Sequence, residues 1–394
     1  MMDKKTSILF VIENDYFPRD TRVYNECITL SAAYSCYVLA PRGKGEKFIE
    51  SIQSVRCIRY PHFEARSLRF IGLEYAIAGI WIAMLVPFIA VIKQIDVVHV
   101  ANPPDFLIPI ISWLKLFGTK LTFDVHDLSV ETFKGKSASK TVLGKGVEPF
   151  LKALELLSIR SADMIITTNR SISDHVRRQT PHKRIYVVRN SNSLLFNSIK
   201  DINKSARTGM LNIGYFGVLA DDEAAGLDNF FIIANVLANI QIQFKFSIVG
   251  NGPGLSYLQH RIREYGMGEK FDLYGFVRVP EAFEIIKNFD FGLVTWGYLQ
   301  KNHLHTAMKI MDYMCCAVPV CSLPLKEQVY STQGIAIHAN TFEGIAQKIA
   351  ELYNEVNQYE DLRTRTLNHF NRALCWEHQQ VQLLRAYASL LEPS

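Results

Sequence analysis

The sequence has no C-x-x-C pair and no histidines at zinc-finger spacing, so neither a dithiol redox motif nor a structural zinc site is expected. Its seven cysteines, Cys27, Cys36, Cys57, Cys315, Cys316, Cys321 and Cys375, form an odd set. That suits buried thiols in a reducing cytosol better than a disulfide framework. A secretory leader is not expected either, because the apolar run over 8–12 is short and is interrupted at once by Glu13 and Asp15. There is no internal repeat of short period and no low-complexity tract. With 22 Gly, 14 Pro and 21% charged residues, the composition excludes collagen, coiled coil and long disorder. No interleaving of basic and aromatic residues and no recognition-helix motif is present, so nucleic acid is not an expected partner.

What is present is 394 residues, 48% of them apolar, enough for two or three domains with ample cores. Short β-branched runs alternate with helical stretches, the pattern of parallel sheets joined by crossovers. Candidate strands in the first half lie at 8–12, 37–40, 55–59, 97–100, 120–125, 164–168 and 185–188. Helices are read over 21–33, with Asp20 as N-cap, and over 149–160, with Pro149 in the first turn. A polar stretch over 197–209 lacks apolar periodicity and reads as a linker. Strands resume at 211–216, 244–249, 271–274, 291–294 and 318–321, with helices at 228–238 and 341–355 between them. Gly217, Gly250, Gly275 and Gly292 stand in or after these strands, where glycine permits tight turns or close approach of a ligand. The tail over 362–391 reads as one or two helices anchored by Trp376. The expected fold class is α/β, with two doubly wound, Rossmann-like domains over 1–200 and 210–369. Such sheets bind ligands at their strand carboxyl ends, so function is expected where the two sets of ends face a common cleft.

Charge and hydropathy are unevenly shared. Residues 1–200 carry a net +9 and residues 201–394 a net −4. The basic half also holds the stretch 71–92, apolar except for Glu74 and flanked by Arg66, Arg69 and Lys93. Its length permits a membrane span. A span would, however, separate strands that belong in one sheet, so a buried or membrane-surface helix is the expectation, with the arginines near anionic headgroups.

Several residues have types and positions that suggest chemistry. Asp124-Val125-His126-Asp127 closes a strand, placing an imidazole and a carboxylate where either could accept a hydroxyl proton; packing for His126 and helix capping for Asp127 are the bland alternatives. Met308 to Met314 reads as a helix with Lys309 and Asp312 on one face. A lysine near a helix start suits a diphosphate and a carboxylate one turn on suits a ribose diol, whereas a surface ion pair is the structural alternative. Arg19 and Arg22, in the segment that follows the first strand, could meet an anion or simply face solvent. Gly250-Asn251-Gly252-Pro253-Gly254 lacks dinucleotide-fingerprint spacing and reads as a tight turn, and Asp221-Asp222-Glu223 as a solvated loop. His303 and His305 have no further ligands nearby and no D-x-D pair closes a strand, so no metal is expected.

In order along the chain, Pro18 to Val23, Asp124 to Asp127, Asp163 to Ile166, Val187 to Asn190, Gly214 to Gly217, Gly226 to Asp228, Ile248 to Pro253, and Lys309 to Tyr313 with Pro319-Val320 resemble the landmarks of GT-B glycosyltransferases. The resemblance is to family 4, or group 1, enzymes of bacterial polysaccharide synthesis. It implies a nucleotide-diphosphate sugar, UDP-linked in preference to GDP-linked, on the second domain and a glycan or lipid-linked acceptor on the first. It also implies that the tail, 370–394, packs back on the first domain. By that resemblance Gly217, Gly250, Gly275, Phe276, Met308, Lys309, Asp312 and Tyr313 are donor-binding candidates; Arg19, Arg22 and His126 lie on the acceptor side; and His126, Asp127 and Lys309 are the catalytic candidates. No cofactor is implied beyond the co-substrate. Met308, Lys309 and Asp312 also resemble the donor motif of the xanthan glucuronosyltransferase, an inverting enzyme, which leaves stereochemistry open. Val218 and Ala225 stand near places where relatives carry Arg and Lys, and Leu304 replaces the first acid of an E-x7-E pattern. The expected protein is therefore a cytoplasmic glycosyltransferase peripheral to the inner membrane, metal-independent, with a non-catalytic partner subunit or a sugar-nucleotide 2-epimerase as the alternatives.

Overall fold

The computed structural model describes residues 5–65, 70–134, 142–193, 209–221 and 225–392, with 142–145 as backbone only. Arg66, Arg69, Asp222, Glu223 and all of the expected linker except Gly209 lie outside the described residues. The chain divides into two compact units, Met1–Arg189 with Gln380–Ser394, and Asn190–Gln379.

The first unit is built on an eight-stranded sheet: β1 (Ser7–Val11), β2 (Ser35–Pro41), β3 (Ile49–Ile52), β4 (Val55–Tyr60), β5 (Val97–Ala101), β6 (Lys120–Val125), β7 (Met164–Thr167) and β8 (Arg184–Val187), in the order β3-β4-β2-β1-β5-β6-β7-β8. All pairs are parallel except β3 with β4. The central strands β1, β5 and β7 are buried along their whole length, which is why they read as unbroken apolar runs rather than alternating ones. β1 is flanked by β2 and β5, so strand order reverses beside it, and the loops after β1 and β5 form the switch point where such sheets bind ligands.

Helix α1 (Thr21–Ser31) begins where Asp20 accepts a hydrogen bond from the Val23 amide, as its sequence position suggested. Helix α2 (Ile71–Lys93) is the long apolar stretch, and Pro87 sits inside it. Ala78, Gly79, Ile82, Val86, Ile89 and Ala90 turn one face into the core, while Ile80, Met84, Phe88, Val91 and Ile92 lie exposed on the other. Pro149 departs from expectation: it lies inside a 20-residue helix, Val142–Ser161, rather than in a first turn. The hydrogen bond lost at an interior proline is offset by the packing of Glu155, Ser158 and Ile159 further along.

The second unit holds β9 (Leu211–Phe216), β10 (Phe244–Val249), β11 (Phe271–Gly275), β12 (Phe291–Leu293), β13 (Val320–Ser322) and β14 (Ile337–His338), all parallel, in the order β11-β10-β9-β12-β13-β14. Its core stacks Phe230, Phe246 and Phe271 between sheet and helix. Strand order here reverses at β9 and β12. Residues 376–379 of the last helix, Trp376–Leu391, belong to the second unit and the rest to the first, where Leu383, Ala386, Tyr387 and Leu390 are buried.

Gly292 in β12 is a steric requirement. A Cβ there would stand 2.3 Å from the ring of Tyr313, which is fully buried and held by two hydrogen bonds. Overpacking of this kind costs about 1–3 kcal/mol. Gly292→Ala should lower the second unit's urea midpoint accordingly, and an unchanged midpoint would show that the Tyr313 ring is free to give way.

Candidate active site

In the first unit the site is organised by charge buried at the end of β6. Asp124 is inaccessible to solvent and accepts two hydrogen bonds from one guanidinium, Arg22 Nε at 2.9 Å and Arg22 Nη2 at 2.7 Å. The same arginine donates to the Val188 carbonyl at 2.7 Å and pairs with Glu26 at 3.0 Å. Burial alone would raise Asp124, but Arg22 and then His126 hold its carboxyl well below the ordinary range. Glu26, burdened by the same burial, is pushed up. Next to them His99 lies 3.6 Å from Asp124 and, through Nδ1, 2.6 Å from the Tyr387 hydroxyl.

His126 reads this network. Its Nε2 lies 2.6 Å from Asp124 Oδ2, so the ionised carboxylate selects the tautomer with the proton on Nε2 and leaves Nδ1 as an acceptor. The backbone is fixed as well: the amides of His126 and Asp127 donate to Asn102 Oδ1, at 2.7 and 3.3 Å, and Asn102 Nδ2 donates to the Asp127 carbonyl at 2.8 Å. An imidazole oriented by a buried carboxylate can accept a hydroxyl proton. Asp127 is half-buried on the same turn.

The acceptor-side arginines are corrected. Arg22 faces neither an incoming anion nor solvent; it lies in α1, the helix expected there, buried, with its charge committed to Asp124 and Glu26. It positions His126 through Asp124. Arg19 is exposed and paired with Asp15 at 2.8 Å, over the Tyr16 ring, the solvated arrangement.

In the second unit, Gly217, Gly250 and Gly275 follow or end the adjacent strands β9, β10 and β11. The Gly250 amide donates to the Gly275 carbonyl at 2.8 Å, and a Cβ on Gly250 would fall 1.8 Å from the Gly217 carbonyl oxygen. What approaches these glycines is therefore the unit's own backbone, the turn over 250–254 lying against the loop over 217–220. Lys309 opens the short helix Lys309–Cys315 and is 9% exposed. Its Nζ sits 4.5 Å from the centre of the Tyr215 ring and 5.8 Å from that of Trp296, and would be 3.5 Å from a Cβ on Gly217. Among the described residues it has no carboxylate within ion-pair distance and no hydrogen-bond acceptor. Burial lowers its pKa to about 8, Asp312 opposing that only in part. The lysine thus lies where the ends of β9 and β12 meet the reversal of strand order.

Asp312 is half-buried, accepts from Asn192 Nδ2 at 2.8 Å, and is raised by burial to about 6. Met308 and Phe276 are exposed. Tyr313 is corrected: it is fully buried, accepts from the Phe216 amide at 2.9 Å and donates to the Leu293 carbonyl at 3.2 Å. It is a strut across the ends of β9 and β12, with no hydroxyl left over for a donor. Val218 is exposed and Leu304 buried, and neither supplies charge. Sequence reasoning did not single out Tyr215, Trp296, Asn102 or Glu13. Each stands in or just after a strand, and that position was the available signal.

Residues 20–191 match the family model Glycosyltransferase Family 4, and residues 211–355 match Glycosyl transferases group 1. The chain belongs to the family 4, group 1 glycosyltransferases. Between them the two models take in most of the sequence, one falling in each unit. None of the curated proteins matches the chain by sequence. Among solved structures it is similar to the sucrose-phosphate synthase of Thermosynechococcus elongatus, at 13% identity and a TM-score of 0.75, covering 99% of this chain and 100% of that one. It is also similar to Anabaena HepE, at 13% identity and a TM-score of 0.69 over 98% and 100%. The lipopolysaccharide outer core galactosyltransferase WaaB matches at 15% identity and a TM-score of 0.67 over 98% and 100%. The family 4 enzyme thus has the GT-B fold, with a Rossmann-like sheet in each unit.

Removing one member of a buried ion pair leaves the other charge stranded, at a cost of about 3–5 kcal/mol. Arg22→Ala should destabilise the first unit by that order in chemical denaturation. Arg22→Lys should not restore it, because an ammonium cannot reproduce the two-pronged contact with Asp124. Full rescue by lysine would reduce the interaction to simple charge.

Proposed function

We propose that this glycosyltransferase moves a sugar from a UDP-sugar to a glycan or lipid-linked acceptor at the surface of the cytoplasmic membrane, in polysaccharide synthesis. The observation that carries the donor assignment is Lys309, a nearly buried ammonium without an ion-pair partner among the described residues, beside Gly217 and two aromatic faces. An unpaired cation is costly to bury unless an anion arrives. The diphosphate of a nucleotide sugar is such an anion, and the HepE structures were solved with UDP, with UDP and glucose, and with UDP-glucose.

In transfer, the bond from the sugar's anomeric carbon to the β-phosphate oxygen breaks and the acceptor hydroxyl oxygen bonds to that carbon. Lys309 offsets the charge that develops on the leaving diphosphate. Asp312, already accepting from Asn192, offers its other oxygen to the ribose diol, and Phe276 with the Gly275 backbone faces the base. On the acceptor side His126, its Nε2 engaged by Asp124, presents Nδ1 to the hydroxyl proton, and Asp127 flanks it. In an inverting reaction one of the two is the base and takes the hydroxyl proton; in a retaining one they orient acceptor and sugar, and the proton passes to the leaving β-phosphate oxygen.

The membrane assignment rests on α2. The helix is long and apolar enough to cross a bilayer, yet one face is committed to the sheet of the first unit. Its opposite face stays apolar and exposed, and Trp113, Leu116 and Phe117 are exposed near its far end. Together with the net +9 of residues 1–200, this suits an anionic lipid surface rather than a span.

Three experiments test the reading. Nucleotide sugars screened without acceptor should release UDP slowly, and UDP binding by calorimetry should weaken as pH rises above about 8, where free Lys309 loses its proton. The slope approaches ten-fold per pH unit, because bound diphosphate favours the charged form and binding then takes up a proton. Lys309→Met should weaken binding about 10- to 100-fold and abolish that slope; wild-type affinity in this variant removes the donor site. In flotation, the protein should partition to anionic vesicles over neutral ones, and Phe88→Glu with Phe117→Glu should cut recovery about ten-fold or more. Equal recovery on both lipids undoes the role given to charge.

A further inference from the structure

Glu13 follows β1 at the switch point of the first sheet and has no role in the scheme above. It is 2% exposed, and neither carboxylate oxygen has a hydrogen-bond partner. Burial, and then Glu74 beside it, pushes the Glu13 carboxyl up to about 8, so without a cation it holds a proton there, still with neither oxygen satisfied. Two potential ligands stand beside it. His62, after β4, and Glu74, in the first turn of α2, each bring one ligating atom into a group with Glu13 in which all such atoms lie within 4.8 Å of one another. His62 Nε2 is 3.4 Å from Glu74 Oε1, and Glu74 Oε2 is steadied by the Ala65 amide at 2.8 Å. The His62 ring is fixed edge-on against Tyr16, with centroids 5.7 Å apart. Among the described residues, no lysine or arginine pairs with Glu13 or Glu74.

We propose that Glu13, His62 and Glu74 form a binding site for a first-row divalent transition metal. Two carboxylates and an imidazole supply the charge and the ligand types for Mn²⁺, Co²⁺ or Zn²⁺, and the nitrogen ligand disfavours Ca²⁺ and Mg²⁺. Ligand atoms at metal-bond lengths of about 2.0–2.2 Å from a common centre must lie within about 4.4 Å of each other, so the observed grouping needs only a small contraction. The site joins three segments distant in sequence: the end of β1, the stretch after β4 and the first turn of α2. An occupied site would fix the start of the apolar helix to the sheet. This places the ion in the first unit, apart from the lysine assigned to the donor diphosphate, so the two proposals fail independently.

The test is calorimetry of the chelator-treated full-length protein with Zn²⁺ and Mn²⁺, alongside the Co²⁺ visible spectrum and thermal unfolding. One equivalent should bind, the Co²⁺ bands should be those of mixed nitrogen and oxygen ligation, and metal should raise the unfolding temperature. Glu13→Gln keeps the shape and cannot supply an anionic ligand, so the variant should fold about as well as the wild type without metal. Its metal affinity should fall at least about ten-fold, as should that of His62→Gln. Absence of stoichiometric binding to the wild type, or affinity unchanged in a folded Glu13→Gln variant, overturns the proposal.

Discussion

The first unit depends on one arginine being kept out of water. Arg22 enters the interior on α1 and there meets two carboxylates, Asp124 and Glu26, whose burial would be untenable without it. The three groups do not share the burden equally. Asp124 takes the two-pronged contact and stays ionised, while Glu26, with the weaker contact, is driven toward its neutral form. Because Asp124 is thereby a dependable anion, it decides the tautomer of His126. A further hydrogen bond from the guanidinium, to the Val188 carbonyl, ties the same pair to the segment after β8.

The second unit solves the opposite problem. Lys309 is buried without an ion-pair partner among the described residues and is surrounded by ring faces rather than carboxylates, so its proton is weakly held. Around it the scaffold is unusually constrained. Gly250 admits a neighbouring carbonyl oxygen where any side chain would collide, and Tyr313 bridges two strands that diverge. One unit thus spends its buried charge internally to aim an imidazole, and the other leaves a charge unspent. That difference was not visible in the net charges of the two halves, which point the other way.

Much of the architecture was legible in the sequence because it is local. All-buried parallel strands read as unbroken apolar runs, Asp20 capped the helix it precedes, and the apolar stretch 71–92 formed one helix. The positions of Gly217 and His126 just after strands, and of Lys309 and Asp312 on one short helix, followed from the same reasoning. What was not legible depended on pairing across the chain. Arg22 and Tyr313 looked like ligand contacts because their true partners, Asp124 and the Phe216 amide, lie about a hundred residues away. Glu13 looked like an interruption of an apolar run, since nothing nearby in sequence shows His62 and Glu74 beside it. Pro149 was misplaced because a helix can begin ahead of its proline when later turns pack well.

The hydrogen bond between His99 and Tyr387 has a consequence for the order of events during synthesis. Tyr387 is fully buried, stacked parallel to the His99 ring, and supplies the polar contact on which that imidazole rests. The ribosome makes residue 387 nearly three hundred residues after residue 99. Domains ordinarily fold as their own segment emerges. Here the amino-terminal sheet must wait, its polar centre incomplete and its last helical cover missing, until the whole second unit has been translated. Strands made early are thus among the last parts of this unit to be finished.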